Sequence, residues 1–152
     1  AQGGSAFAAE LGAMRIKEEL DATAVMAVDP VRVHVVPRVL AAILATPMLN
    51  VLGSVAGIGG SYITAVLVKG ENAGTFWANL WAMTDVVDIG GGLVKTVTFG
   101  AIIGLVACYH GFYATGGAAG VGVAVNNTVV RAAVSFIVVN YFLTSALYGV
   151  TG

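Results

Sequence analysis

Charge is what this sequence has least of. Seven basic and eight acidic residues are spread over 152 positions, for a net charge of -1. No charged residue lies between Arg38 and Lys69, between Lys95 and Arg131, or after Arg131. A chain so weakly charged, with no basic stripe, is not a nucleic-acid binder. A lone cysteine, Cys108, excludes a disulfide framework. His34 and His110 stand far apart and Cys108 has no spaced partner, so no metal site is expected. Glycine is plentiful, with 21 residues, yet no G-x-x-x-x-G-K-[ST] phosphate loop and no G-x-S-x-G elbow occurs. No residue is therefore assigned a catalytic role. What the chain does have is apolar bulk: 58% hydrophobic residues and a mean hydropathy of +0.90, far from the averages of soluble domains. It reads as a membrane protein, and each uncharged gap can hold a spanning helix of ~20 residues across a ~30 Å hydrocarbon core.

The expected class is all-α and polytopic, with about three full spans. The chain opens on Ala1, and residues 1–14 read as the end of a span, so the whole is expected to be the C-terminal portion of a longer protein. Residues 15–30 form a charged segment, from Arg15-Ile16-Lys17-Glu18-Glu19-Leu20-Asp21 to Asp29-Pro30. Its helix formers and the stop at Pro30 predict about four turns, too short and too charged to span. Ile16, Leu20, Ala24 and Ala27 give it one mildly apolar face. An apolar run follows over 39–68, long enough to need a tilt, an early stop or a kink, which Pro47 could supply. Residues 69–88 carry Trp77 and Trp81 beside charges, as an interfacial loop with a short helix would. Gly90-Gly91-Gly92 should loosen the backbone before a span at 93–112. A Gly/Ala-rich connection, 114–122, precedes a third span at 128–148.

Four of the basic residues, Arg15, Lys17, Arg32 and Arg38, cluster in the first polar region, which places that region in the cytoplasm. Residues 69–88 and the C-terminus are then outside, and 114–127 inside. Two small-xxx-small pairs, Gly53 with Gly57 and Gly100 with Gly104, suit close helix packing. Asp88 and Lys95, seven residues apart, share a helical face if the helix starts early enough. They are either functional polar groups within the membrane or headgroup-level residues with Lys95 snorkelling outward. Tyr141 and Tyr148 fit pore, core or interface equally well.

Ala9-Glu10-Leu11-Gly12-Ala13-Met14-Arg15, then Glu18-Glu19-Leu20-Asp21-Ala22, Met26, Asp29-Pro30 and Val36-Pro37-Arg38, resemble the AELGxM…EExDAxxxMxxDP…xPR pattern of the MlaE/YrbE permeases. Asp88, Gly92, Lys95, Phe99-Gly100, Cys108-Tyr109 and Gly111 are similar to the family's D…G..K…FG…CY.G run. Gly120-Val121-Gly122 and Val129-Val130 resemble its GVG…VV stretch. Two departures stand out: Ala27 where the family usually has glycine, and Val123 where a polar or basic residue often follows GVG. The alanine- and valine-rich character is similar to actinobacterial YrbE proteins.

The resemblance implies the permease subunit of an ATP-driven lipid transporter in a bacterial cytoplasmic (inner) membrane. It implies as partners a cytoplasmic ABC ATPase dimer, a second permease subunit in a homo- or heterodimer, MCE-domain proteins and a lipid substrate. ATP and Mg would belong to the ATPase, and this chain would hold no cofactor. The segment at 15–30 becomes a coupling helix, with Glu18, Glu19, Asp21, Met26, Asp29 and Arg32 as its ATPase-facing residues. A rival from another class is a stand-alone secondary transporter or membrane-embedded enzyme working through Asp88 and Lys95.

Overall fold

The computed structural model describes residues 2–149, and no strand occurs among them. Six α-helices follow one another: α1 (Gln2–Ile16), α2 (Glu19–Val25), α3 (Val36–Tyr62), α4 (Ala73–Met83), α5 (Val86–Phe112) and α6 (Gly117–Gly149). Wider π-helical turns at Val31–Val35 and Ile63–Val68 extend α3 at both ends. Among the described residues three helical stretches are long and apolar enough to cross a membrane: Val31–Val68, Val86–Phe112 and Gly117–Gly149. The all-α, three-span class expected from the charge gaps is the class observed.

The boundaries differ from the sequence expectation, always toward longer spans. The first stretch begins at Val31 rather than 39 and runs 38 residues without a break at Pro47, which lies inside α3. Helix α5 starts at Val86, straight through Gly90-Gly91-Gly92. Each glycine weakens a helix by only ~1 kcal/mol, whereas a backbone polar group left unsatisfied in hydrocarbon costs several, so the helical form persists. Helix α6 starts at Gly117 rather than 128, leaving only a short turn after α5. That stretch has weak helix formers but finds support from α1: Val121 packs against Gly12, and Ala124 and Thr128 are buried. The charged segment is cut shorter than expected. Helix α1 continues to Ile16, Glu18 takes a left-handed backbone (φ 57°), and α2 holds only seven residues.

Helix α5 is the axis on which α1, α3 and α6 pack. Gly100 and Gly104 face Thr46, Ala42 and Val39, so α3 runs antiparallel to it. Ala8 and Leu11 meet Gly111 while Gly4 meets Ile103, so α1 runs parallel. The core is made of small side chains, with Ala8, Ala107 and Ala132 buried beside Leu11, Cys108 and Thr128. This is the packing that lipid-embedded helices need, because association there comes from close contact rather than from expulsion of water. Helix α4 meets the end of α3 through an aromatic cluster: Tyr62 lies 5.4 Å from Phe76 and 5.9 Å from Trp77, centroid to centroid. Asn72 caps it, accepting the Gly74 N–H at 2.8 Å.

Candidate functional site

The antiparallel arrangement gathers two polar groups of residues at opposite ends of the bundle. One end holds α2, the start of α3 and the turn between α5 and α6. The other holds α4, the start of α5 and the end of α6.

At the first end, α2 is held by three contacts. Leu20 is the only residue of the predicted apolar face that is buried; Ile16, Ala24 and Ala27 stay exposed. The Arg15 guanidinium pairs with the Asp21 carboxylate at 3.1 Å, and the Thr23 hydroxyl lies 3.3 Å from His34 Nε2. The Asp29 carboxylate accepts the Val31 N–H at 3.0 Å, satisfying a donor that the start of the long helix leaves open. Glu18, Glu19 and Arg32 are exposed. Two apolar residues are widely open beside them, Val25 at 86% and Met26 at 76% exposure. Met26 ends α2, and the chain then reverses through Ala27 at φ 61°. That left-handed backbone is where an L side chain is disfavoured by ~1–2 kcal/mol, a physical reason for the glycine found there in the resembled pattern.

Beneath α2 lies an ion pair not anticipated from the sequence. Arg38, on the first turn of α3, reaches Glu10 of α1 at 2.8 Å, and its other terminal nitrogen donates to the His34 carbonyl at 2.7 Å. Glu10 is the one acid within α1 and Arg38 the last cation before the apolar run, which is the only hint the sequence offers.

At the opposite end, Asp88 and Lys95 do share a face of α5, and both are engaged by α6. The Tyr148 hydroxyl donates to Asp88 Oδ1 at 2.9 Å, and Lys95 Nζ donates to Thr144 Oγ1 at 2.8 Å. The Lys95 ammonium also lies 5.4 Å from the centre of the Tyr148 ring, a cation–π distance. The four residues form a clasp between α5 and α6 beside Gly91, where Leu147 and Tyr148 lie at ordinary van der Waals distance from the position a Cβ would take. Tyr148 thus has a specific role here, and Thr144 was not foreseen at all.

The two glycine pairs separate. At Gly100 an added Cβ would lie 2.6 Å from the Ala42 carbonyl oxygen, and at Gly104 it would lie 3.2 Å from the Ala42 Cβ. At Gly53 and Gly57 an added Cβ would meet nothing within 4 Å among the described residues, which leaves that face of α3 open. Gly57 borders an open cleft of about 640 Å³ between α3 and α4. Among the described residues no cluster of three or more potential metal ligands occurs.

Long apolar helices packed through glycine and alanine, with most charged residues gathered toward the two ends, define a multi-pass α-helical membrane protein. The chain belongs to the MlaE permease family: the profile described as Permease MlaE matches residues 1–146. A probable ABC transporter permease protein of Rickettsia typhi is 35% identical over 147 residues, covering 97% of this chain and 57% of its own length. The intermembrane phospholipid transport system permease protein MlaE of Haemophilus influenzae is 32% identical, covering 96% and 56%. A chloroplastic protein of Arabidopsis thaliana, trigalactosyldiacylglycerol 1, is 34% identical, covering 95% and 41%. The chain thus spans little more than half the length of the bacterial relatives it matches.

Proposed function

We propose that this chain is part of the permease subunit of an ATP-driven lipid transporter of a bacterial inner membrane, and that α2 is the element through which an ATPase dimer acts on it. The carrying observation is the pair Val25 and Met26, exposed at 86% and 76% on a short helix whose other contacts tie it to both adjoining spans. An exposed apolar tip rimmed by Glu18, Glu19 and Arg32 has the anatomy of a docking knob, with apolar atoms for burial and charges for orientation. The chain performs no covalent step in this reading. ATP and Mg are bound by the ATPase, a second permease subunit completes the membrane core, and MCE proteins receive or deliver the lipid. The relative from Haemophilus influenzae, named for intermembrane phospholipid transport, supports phospholipid as the cargo. Asp88 and Lys95 serve as the α5–α6 clasp rather than as proton-transfer groups, since each is already bonded to a side chain of α6.

The test uses the full transporter. Val25→Asp with Met26→Asp places two charges on the knob without touching Leu20, Arg15 or Asp21. The ATPase should fall away in copurification and permease-stimulated ATP hydrolysis should drop by at least about tenfold, the effect of losing ~1.4 kcal/mol, while the amount of inserted permease stays constant. Full retention of the ATPase at unchanged hydrolysis would refute α2 as the coupling element.

A further inference from the structure

The second half of the molecule has a peculiarity that the transporter reading leaves unused. No acidic residue follows Asp88 anywhere in the sequence, yet Arg131 lies in the apolar helix α6. Among the described residues Arg131 is exposed and belongs to neither ion pair, those being Arg15 with Asp21 and Arg38 with Glu10. A guanidinium in a spanning segment is costly unless it reaches headgroups or a counter-charge. The structure shows where it goes. A groove of about 470 Å³ opens between α5 and α6, floored by Val106, Val130 and Val134 and edged by Tyr109, His110 and Arg131. His110 is two residues from the end of α5, so this edge sits at the same end of the bundle as the charged segment.

We infer that this groove binds one anionic phospholipid of the leaflet on that side. The phosphate sits on Arg131, whose planar fork matches two phosphate oxygens, with His110 and the Tyr109 hydroxyl as further donors. One acyl chain lies along the valine floor toward the membrane interior. Charge selects this occupant over a second copy of the chain: a symmetric contact through this face would set Arg131 against Arg131, and neither α6 nor α5 beyond Asp88 offers an acid to relieve it. The inference depends on the chain lying in a membrane but not on α2 meeting an ATPase.

A local readout decides it. In the full transporter, a photoreactive p-benzoylphenylalanine replaces Val134, and the preparation is reconstituted with radiolabelled phosphatidylglycerol or with phosphatidylcholine of the same acyl chains. Both lipids offer a phosphate, but phosphatidylcholine also brings its choline cation beside Arg131, so phosphatidylglycerol should label the permease about tenfold more, a like-charge cost of ~1.4 kcal/mol. Arg131→Gln should reduce that labelling to the phosphatidylcholine level, and Arg131→Lys, which keeps the charge and loses the fork, should retain part of it. The lipid comparison stands on the parent protein even if Arg131→Gln fails to fold. Equal labelling by the two lipids, labelling unchanged in Arg131→Gln, or crosslinking to a protein subunit in place of lipid would overturn the proposal.

Discussion

Gly100 gives the sharpest test of how this bundle is held together. Replacing it with alanine would put a Cβ 2.6 Å from the Ala42 carbonyl oxygen and 2.8 Å from Thr46 Oγ1. Real Cβ contacts essentially never fall under 3.0 Å, so α3 and α5 must separate, and the nearer obstacle is backbone that cannot rotate away. The Thr46 hydroxyl is itself committed to the Ala42 carbonyl at 2.6 Å. Overpacking of this kind costs ~1–3 kcal/mol, and the better helix propensity of alanine returns up to ~1 kcal/mol. The net expectation is a loss of about 1–2 kcal/mol, or ~2–8 °C in unfolding midpoint on the scaling of globular domains. At Gly104 the obstacles are the Ala42 Cβ at 3.2 Å and the Val39 Cα at 3.3 Å, which a shift of a few tenths of an ångström absorbs. Gly104→Ala should therefore be close to neutral, while Gly104→Leu should force the helices apart. Gly53→Ala and Gly57→Ala meet open space, so only the helix-propensity gain remains and the isolated subunit should be stabilised by up to ~1 kcal/mol. Thermal unfolding in mild detergent in a Cys108→Ser background, with disulfide trapping between α3 and α5 as a local readout, ranks the four sites. A Gly100→Ala variant that unfolds with the parent, beside a destabilised Gly53→Ala, would refute the packing scheme.

Two further outcomes follow from backbone and polar geometry. Ala27→Gly removes a side chain from a left-handed position, φ 61°, and should stabilise the α2–α3 corner by up to ~1 kcal/mol, seen as slower proteolysis there; faster cleavage would contradict the strain argument. Tyr148→Phe deletes the hydroxyl that donates to Asp88 at 2.9 Å and should weaken the α5–α6 clasp by ~0.6–1.7 kcal/mol, the range measured for hydrogen bonds between membrane helices. Spin labels at positions 92 and 145 should then report a broader distance distribution, and an unchanged distribution would show that the bond carries no tension.

The spans were legible because charge is excluded from hydrocarbon, and the gaps after Arg38, Lys95 and Arg131 mark them directly. Their ends were not, because clustered glycines are read as breaks by rules learned in water. At 90–92 the membrane penalises an open backbone more than glycine weakens the helix, and at 117–122 contact with α1 supplies the support. The paired glycines show the limit of a motif. Gly53 with Gly57 and Gly100 with Gly104 have the same spacing, which reports that a neighbour could come close, not that one does. The clasp was half visible: Asp88 and Lys95 are conspicuous as charges near apolar sequence. Thr144 and Tyr148 lie 49 and 60 residues away from their partners, and nothing in one sequence links residues so distant.

Helix α5 connects the two polar ends, and the way it is packed bears on how motion would cross the membrane. It meets α3 at Gly100 and Gly104 and α1 at Gly111, so along its second half a neighbour reaches close to its backbone. Contacts made backbone to backbone have no long side chains to absorb a displacement. Under the proposed function, a push on α2 therefore reaches α1 through the Arg15–Asp21 pair, enters α5 at Gly111, and moves the helix as one rod. The far end is different in kind. There α5 is fastened to α6 by two hydrogen bonds and a cation–π contact, which break and reform without repacking a core. A stiff rod ending in a breakable clasp concentrates any movement at the clasp, and that is where a lipid passage would open. Weakening the clasp through Tyr148→Phe should then ease opening while leaving ATPase docking intact, whereas loosening the rod through Gly100→Ala should uncouple hydrolysis from transport. The two substitutions separate transmission from gating because they act on different kinds of contact along one helix.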